Sequence, residues 1–135
     1  MKKIFVAYRF TGEDLDILQR NLDQIKRVLE ARGLEVHCTI ADEQSYRALN
    51  LTVKQILDNA LQQLDACDLV FAFVNSASRS EGMLIELGYA FAKSKPIILA
   101  ARKGVNVHSS TAVAHRIIEF DSMNNLMEQI SKLEF

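Results

Sequence analysis

Only two cysteines occur among the 135 residues, Cys38 and Cys67, and they form no C-x-x-C pair. A disulfide framework or a redox motif is therefore excluded as an organising feature, and two reduced, mostly buried thiols are expected. The three histidines, His37, His108 and His115, show no metal-ligand spacing with either cysteine, so no metal site is expected. A surplus of one charge sign is missing as well. Sixteen basic residues against seventeen acidic leave a formal charge of -1, which gives no electrostatic case for nucleic acid or an anionic membrane as partner. Nor is there a long apolar run. The stretch Ile4–Tyr8 follows two lysines and ends at Arg9, too short for a signal-peptide core or a bilayer span, and a cytoplasmic location is expected.

Several phosphate-binding motifs are also absent. No G-x-G-x-x-G follows the first apolar run, which disfavours a dinucleotide-binding Rossmann site, and no G-x-x-x-x-G-K-[ST] is present for a P-loop. A response-regulator receiver needs an aspartate at the end of its third strand, where this chain carries Asn75. No cofactor is implied.

The composition, 49% apolar and 24% charged, is that of an ordinary globular protein, and the length suits one domain spanning residues 1–135. Strand-like runs are Lys3–Tyr8, Leu34–Thr39, Leu69–Asn75, a segment opened by Pro96, and "RIIEF". Between them, Leu15, Leu18, Leu22, Ile25 and Leu29 recur at helical steps and stop at Gly33. Val53, Ile56, Leu57, Ala60, Leu61 and Leu64 do the same, and Met123–Leu133 closes the chain as a helix. The polar stretch Ala41–Asn50 reads as loop, as does Arg102–His115, with room in the latter for a short helix. Alternating strands and helices with right-handed crossovers predict an α/β fold, a doubly wound five-stranded parallel sheet in flavodoxin-like (Rossmann-like) order. Ligands of such sheets sit beyond the C-terminal strand ends. The loops of interest are therefore Arg9–Asp14, Ile40–Asn50, Asn75–Glu81 and Arg102–His115.

One stretch stands apart. In "SEGMLIELGYAFAKSKP" (Ser80–Pro96), every residue from Gly82 to Ala92 is apolar or glycine except Tyr89 and a single charge, Glu86. A buried carboxylate costs several kcal/mol unless it is paired or hydrogen-bonded. Its neighbours at three and four residues are Gly82, Met83, Tyr89 and Ala90, so no local base serves it. Either a distant base such as Arg9 pairs with Glu86, or the carboxylate performs chemistry. Ahead of it, Ser76, Ser78 and Ser80 cluster where a helix begins, a place whose free N–H groups favour anions. Ser78–Glu81 fits a capping box, and Gly82 and Gly88 let another body approach the helix backbone.

These residues, "CDLVFAFVNSASRSEGMLIELGYAFAKSKPIILA" preceded by "KIFVAY", resemble the nucleoside 2-deoxyribosyltransferase superfamily, and within it the 2'-deoxynucleoside 5'-phosphate N-hydrolases. The likeness covers most of Lys3–Val105, and E-L-G-Y-A followed by K-P is its best signal. It implies that Glu86 is a nucleophile attacking the anomeric carbon of a nucleotide to give a glycosyl-enzyme intermediate. It implies that Ser80, where the transferases carry an acid, receives a 5'-phosphate. Ser110 would do so from the neighbouring subunit of a homodimer, with Ser109 adjacent. Ser78, Gly82, Tyr8 and Arg9 would line the substrate. The chain departs from the pattern at Ala60, where the family has an aspartate. Asp58, two residues away, should face elsewhere, since two helical residues turn about 200°. Alternatives are a deoxyribosyltransferase, a TIR-like NAD glycohydrolase or scaffold, which shares a serine loop leading to a helical glutamate, and a non-catalytic nucleotide-binding module.

Overall fold

The short β-branched and aromatic runs become the centre of the molecule. The computed structural model describes residues 1–77, 80–107 and 110–135, without the side chains of residues 43, 44 and 47. Its elements are β1 (Lys3–Ala7), α1 (Leu15–Ala31), β2 (Glu35–His37), α2 (Ile40–Ala48), α3 (Val53–Asp65) and β3 (Leu69–Val74). They continue with α4 (Glu81–Ala92), β4 (Ile97–Arg102), α5 (Ser110–Val113), β5 (Arg116–Phe120) and α6 (Met123–Ser131). The five strands are all parallel, in the order β2-β1-β3-β4-β5. This is the expected doubly wound, flavodoxin-like α/β sheet.

Alternation along the strands divides the core into two layers. Ile4, Val6, Leu69, Phe71, Phe73, Ile98, Ile118 and Phe120 face Leu22, Ile25 and Leu29 of α1 and Leu126 and Ile130 of α6. Phe5, Ala7, Val70, Ala72, Ile97 and Leu99 face Ala60 and Leu64 of α3 and Met83, Leu87 and Ala90 of α4. Helix α1 starts on Asp14, whose side chain accepts the Asp16 and Ile17 N–H groups, and gives way at Gly33, which turns back with φ +83°.

Three local expectations are corrected. The polar segment after β2 is not loop but α2, a helix whose polar composition hides its period. Its Ser45 hydroxyl returns to the Ala41 carbonyl, and Asn59 of α3 donates to its Tyr46 hydroxyl. The cap of α4 is Ser80, whose Oγ accepts the Met83 N–H at 3.2 Å. Ser78 lies outside the described residues, and the capping box is formed by Thr52 and Gln55 at α3. The run containing Glu86 is not enclosed on all sides either: Met83, Leu87 and Ala90 are buried, but Leu84, Ile85 and Phe91 are exposed.

Candidate active site

The chain leaves β1 toward β2 on one side and returns to β3 on the other, so the strand order reverses between β1 and β3. A crevice opens at such a reversal, beyond the C-terminal strand ends. Here it is a cleft of about 520 Å³. Its floor is Tyr8 and Arg9 from the end of β1, with Phe10 and Thr11 beyond them and Thr39 from the end of β2. One wall is the start of α4: Ser80, Glu81, Gly82, Met83, Ile85 and Glu86. The facing wall is Tyr46 of α2 with Val53, Ile56, Leu57 and Ala60 of α3.

Of the residues singled out from sequence, Glu86, Tyr8, Arg9, Ser80 and Gly82 thus share one cleft. Ser110 opens α5 and does not line the cleft of its own chain. Its helix packs against α4, and its neighbour Ser109 lies outside the described residues. Glu86 is half-buried, one and a half turns into α4, and so stands at the wall of the cleft rather than inside the core. Its charge reaches the end of β2. The Cys38 thiol is pushed up to about 11, chiefly by burial. A backbone hydrogen bond from Ile40 and the Lys26 charge oppose that rise, while Asp23 and Glu86 add to it.

Arg9, the distant base considered for Glu86, is held elsewhere. Its Nη1 donates to Glu13 Oε1 at 3.3 Å and to Ser76 Oγ at 3.4 Å, and the Ser76 hydroxyl donates to the same Glu13 oxygen at 3.1 Å. Tyr8 is buried, with its hydroxyl 3.1 Å from Thr39 Oγ1. Thr39 is the one residue classed as polar that is buried among the described residues, and sequence reading missed it. Its signal was its place at the end of the second strand, where cleft residues of this fold collect. Ile56 and Leu57 were read as core from their helical spacing. They are half-buried, and their face of α3 is the cleft wall.

Ala60 lies on that wall, buried, with no carboxylate. Asp58 points away as the 200° rotation requires and pairs with Lys54 on the outer surface at 2.6 Å. The α3 wall is therefore apolar. Above it, Tyr46 holds its phenol above the usual value, first through burial and then through the Asp42 charge, with the Asn59 bond acting the other way.

The model of the family described as nucleoside 2-deoxyribosyltransferase matches residues 9–127. No match emerges among curated proteins. Among solved structures, the CMP N-glycosidase of Clostridium botulinum superposes with a TM-score of 0.72 at 19% identity, over 98% of this chain and 100% of its own. A 2-deoxyribosyltransferase from Bacillus psychrosaccharolyticus gives 0.72 at 20% identity, over 98% and 93%. A response regulator from Thermotoga maritima gives 0.51 at 18% identity, over 99% and 100%. At these identities the structural likeness is one of fold.

Proposed function

The chain belongs to the nucleoside 2-deoxyribosyltransferase family, and on that footing we propose that it hydrolyses the N-glycosidic bond of (deoxy)nucleoside 5'-monophosphates. Glu86 attacks the anomeric carbon as the base leaves, giving a glycosyl-Glu86 ester through an oxocarbenium-like transition state. Water then cleaves that ester to release the sugar 5-phosphate. The observation that carries this reading is the shared cleft: a carboxylate and a capped helix start on one wall and an apolar face opposite.

Ser80 supports the choice of a nucleotide. It is a neutral hydroxyl at the N-terminus of a 12-residue helix, beside N–H groups that favour an anion. The Arg9 guanidinium adds a cation on the floor of the same cleft. Ala60 leaves the α3 wall without a carboxylate, so the base or sugar meets Ile56, Leu57 and Ala60 through apolar contact. A deoxyribosyltransferase would use the same Glu86 ester with a second base as acceptor, and the family match supports that reading too.

The active form in this reading is a homodimer. Helix α4 carries an apolar band of Leu84, Ile85 and Phe91, with exposures of 39%, 48% and 56%, around Gly88. A second copy covering this band would bring its Ser110, on the helix packed against α4, toward the neighbouring phosphate site.

The test is chromatographic detection of free base from deoxynucleoside and ribonucleoside monophosphates, nucleosides and NAD, with wild type and Glu86→Ala side by side. Release from a monophosphate that disappears in Glu86→Ala is the expected result. Equal release in the variant overturns the role of Glu86. Nicotinamide release points to an NAD glycohydrolase, and binding without turnover to a nucleotide-binding module.

A further inference from the structure

We propose that Glu13 and Ser76 are positioning residues, a clamp that fixes the Arg9 guanidinium at the cleft floor so that its remaining N–H groups meet the substrate's 5'-phosphate. This rests on the nucleotide reading above. The three side chains close a triangle: Arg9 Nη1 to Glu13 at 3.3 Å, Arg9 Nη1 to Ser76 at 3.4 Å, and Ser76 to Glu13 at 3.1 Å.

The chain is shaped to allow it. Arg9 and Glu13 are four residues apart, but they precede α1, so their meeting comes from the turn in which the Glu13 N–H reaches the Phe10 carbonyl. That turn passes through Gly12 at φ +82°, and a Cβ there would lie 2.8 Å from Arg9 Nη2. Glycine is thus needed both for the backbone conformation and for the space the guanidinium fills. Ser76 arrives from the end of β3, across the strand reversal that opens the cleft. Arg9 stands between the cleft and a smaller hollow of about 110 Å³ that Glu13 and Ser76 line.

The clamp binds the guanidinium through Nη1 alone, and an arginine has five donors in a rigid fork. Among the described residues neither Nη2 nor Nε is hydrogen-bonded, which leaves that edge of the fork for a bidentate grip on a phosphate. This ion pair is only about a quarter exposed, so the desolvation of both charges offsets much of their attraction, and its value lies in orientation. The carboxylate weakens the local positive field, and orientation is what it supplies in exchange.

The test measures dissociation constants for 2-deoxyribose 5-phosphate and for 2-deoxyribose, by calorimetry, on wild type, Arg9→Ala, Ser76→Ala, Glu13→Ala and Glu13→Gln. KM and kcat for a monophosphate are measured in parallel. Ser76→Ala and Glu13→Ala are expected to weaken phosphate-sugar binding by roughly tenfold, the scale of one lost hydrogen bond to a charged group. The unphosphorylated sugar should be unaffected, with KM raised and kcat nearly unchanged. Glu13→Gln keeps an acceptor for Nη1 and should restore wild-type binding. If Arg9→Ala weakens binding while Ser76→Ala and Glu13→Ala leave it unchanged or tighten it, the clamp is overturned and Arg9 keeps its role. If Arg9→Ala changes nothing, or wild type does not prefer the phosphorylated sugar, the clamp falls with the phosphate assignment, while Glu86 chemistry is judged by base release alone.

Discussion

Replacing Ser80 by aspartate separates the two duties placed on that residue. As a cap, Ser80 accepts the Met83 N–H at 3.2 Å. Aspartate caps equally well, so Ser80→Asp should melt within a degree or two of wild type, whereas Ser80→Ala loses about 1 kcal/mol, a fall of roughly 3–5 °C for a domain of this length. As a phosphate ligand the two substitutions act in the other order. A carboxylate about 5 Å from a phosphate, at an effective dielectric constant near 20, opposes each unit of its charge by about 3 kcal/mol. The ratio of kcat/KM for a deoxynucleoside monophosphate to that for its nucleoside should then fall by at least about 10²-fold in Ser80→Asp, and only about tenfold in Ser80→Ala. Both rates come from chromatography of the released base, with thermal melts run on the same samples. A Ser80→Asp protein that melts like wild type and keeps the wild-type ratio would refute the placement of the phosphate beside this helix start.

Glu86→Gln should lose base release by roughly 10³-fold or more, as expected for a nucleophile, while the melting temperature of this half-buried position stays close to wild type. Phe91→Asp, on the exposed band of α4, should convert a dimer to monomer in analytical ultracentrifugation. Gly33→Ala should cost about 1–2 kcal/mol in denaturant unfolding through its positive φ alone, because a Cβ there meets nothing within 4 Å. Both thiols are pushed from 9.0 to about 11, first by burial, with Lys95 and Lys3 lowering Cys67 and Asp68 and Glu35 raising it. Because the folded state disfavours the thiolate, the stability from keeping these thiols neutral is complete below pH 9 and is lost as pH rises toward 11. Unfolding free energy should fall across that window, and less so in Cys67→Ala.

The parts of the fold that could be read in advance are those whose burial repeats with a fixed period. Strands covered on both faces announce themselves as apolar runs, and α1 presents a leucine every turn, so sheet order and crossovers followed. Helix α2 escaped because little of it is buried: past Ile40, its described side chains are exposed or half-buried, and polar bonds hold it rather than a stripe. For α3 the stripe was visible but its partner was not, since Ile56 and Leu57 obey the same spacing whether they face a core or a cleft. Glu86 was legible because one charge in an apolar run demands an explanation. The Arg9–Glu13–Ser76 triangle was not, because it joins residues 67 positions apart through a turn that no local pattern records.

The parts of the cleft lining are anchored very differently. Tyr8, Met83 and Ala60 belong to the core layers, so altering them disturbs the sheet itself. Tyr46, by contrast, is tied across to Asn59, and Asp42 to Gln63, by side-chain hydrogen bonds near the surface. The floor, the α4 wall and the α3 part of the facing wall are therefore tied to the sheet, whereas α2 is held at the surface. In the reading proposed above, surface substitutions on α2 can change what the cleft admits without unsettling the fold that holds Glu86 in place.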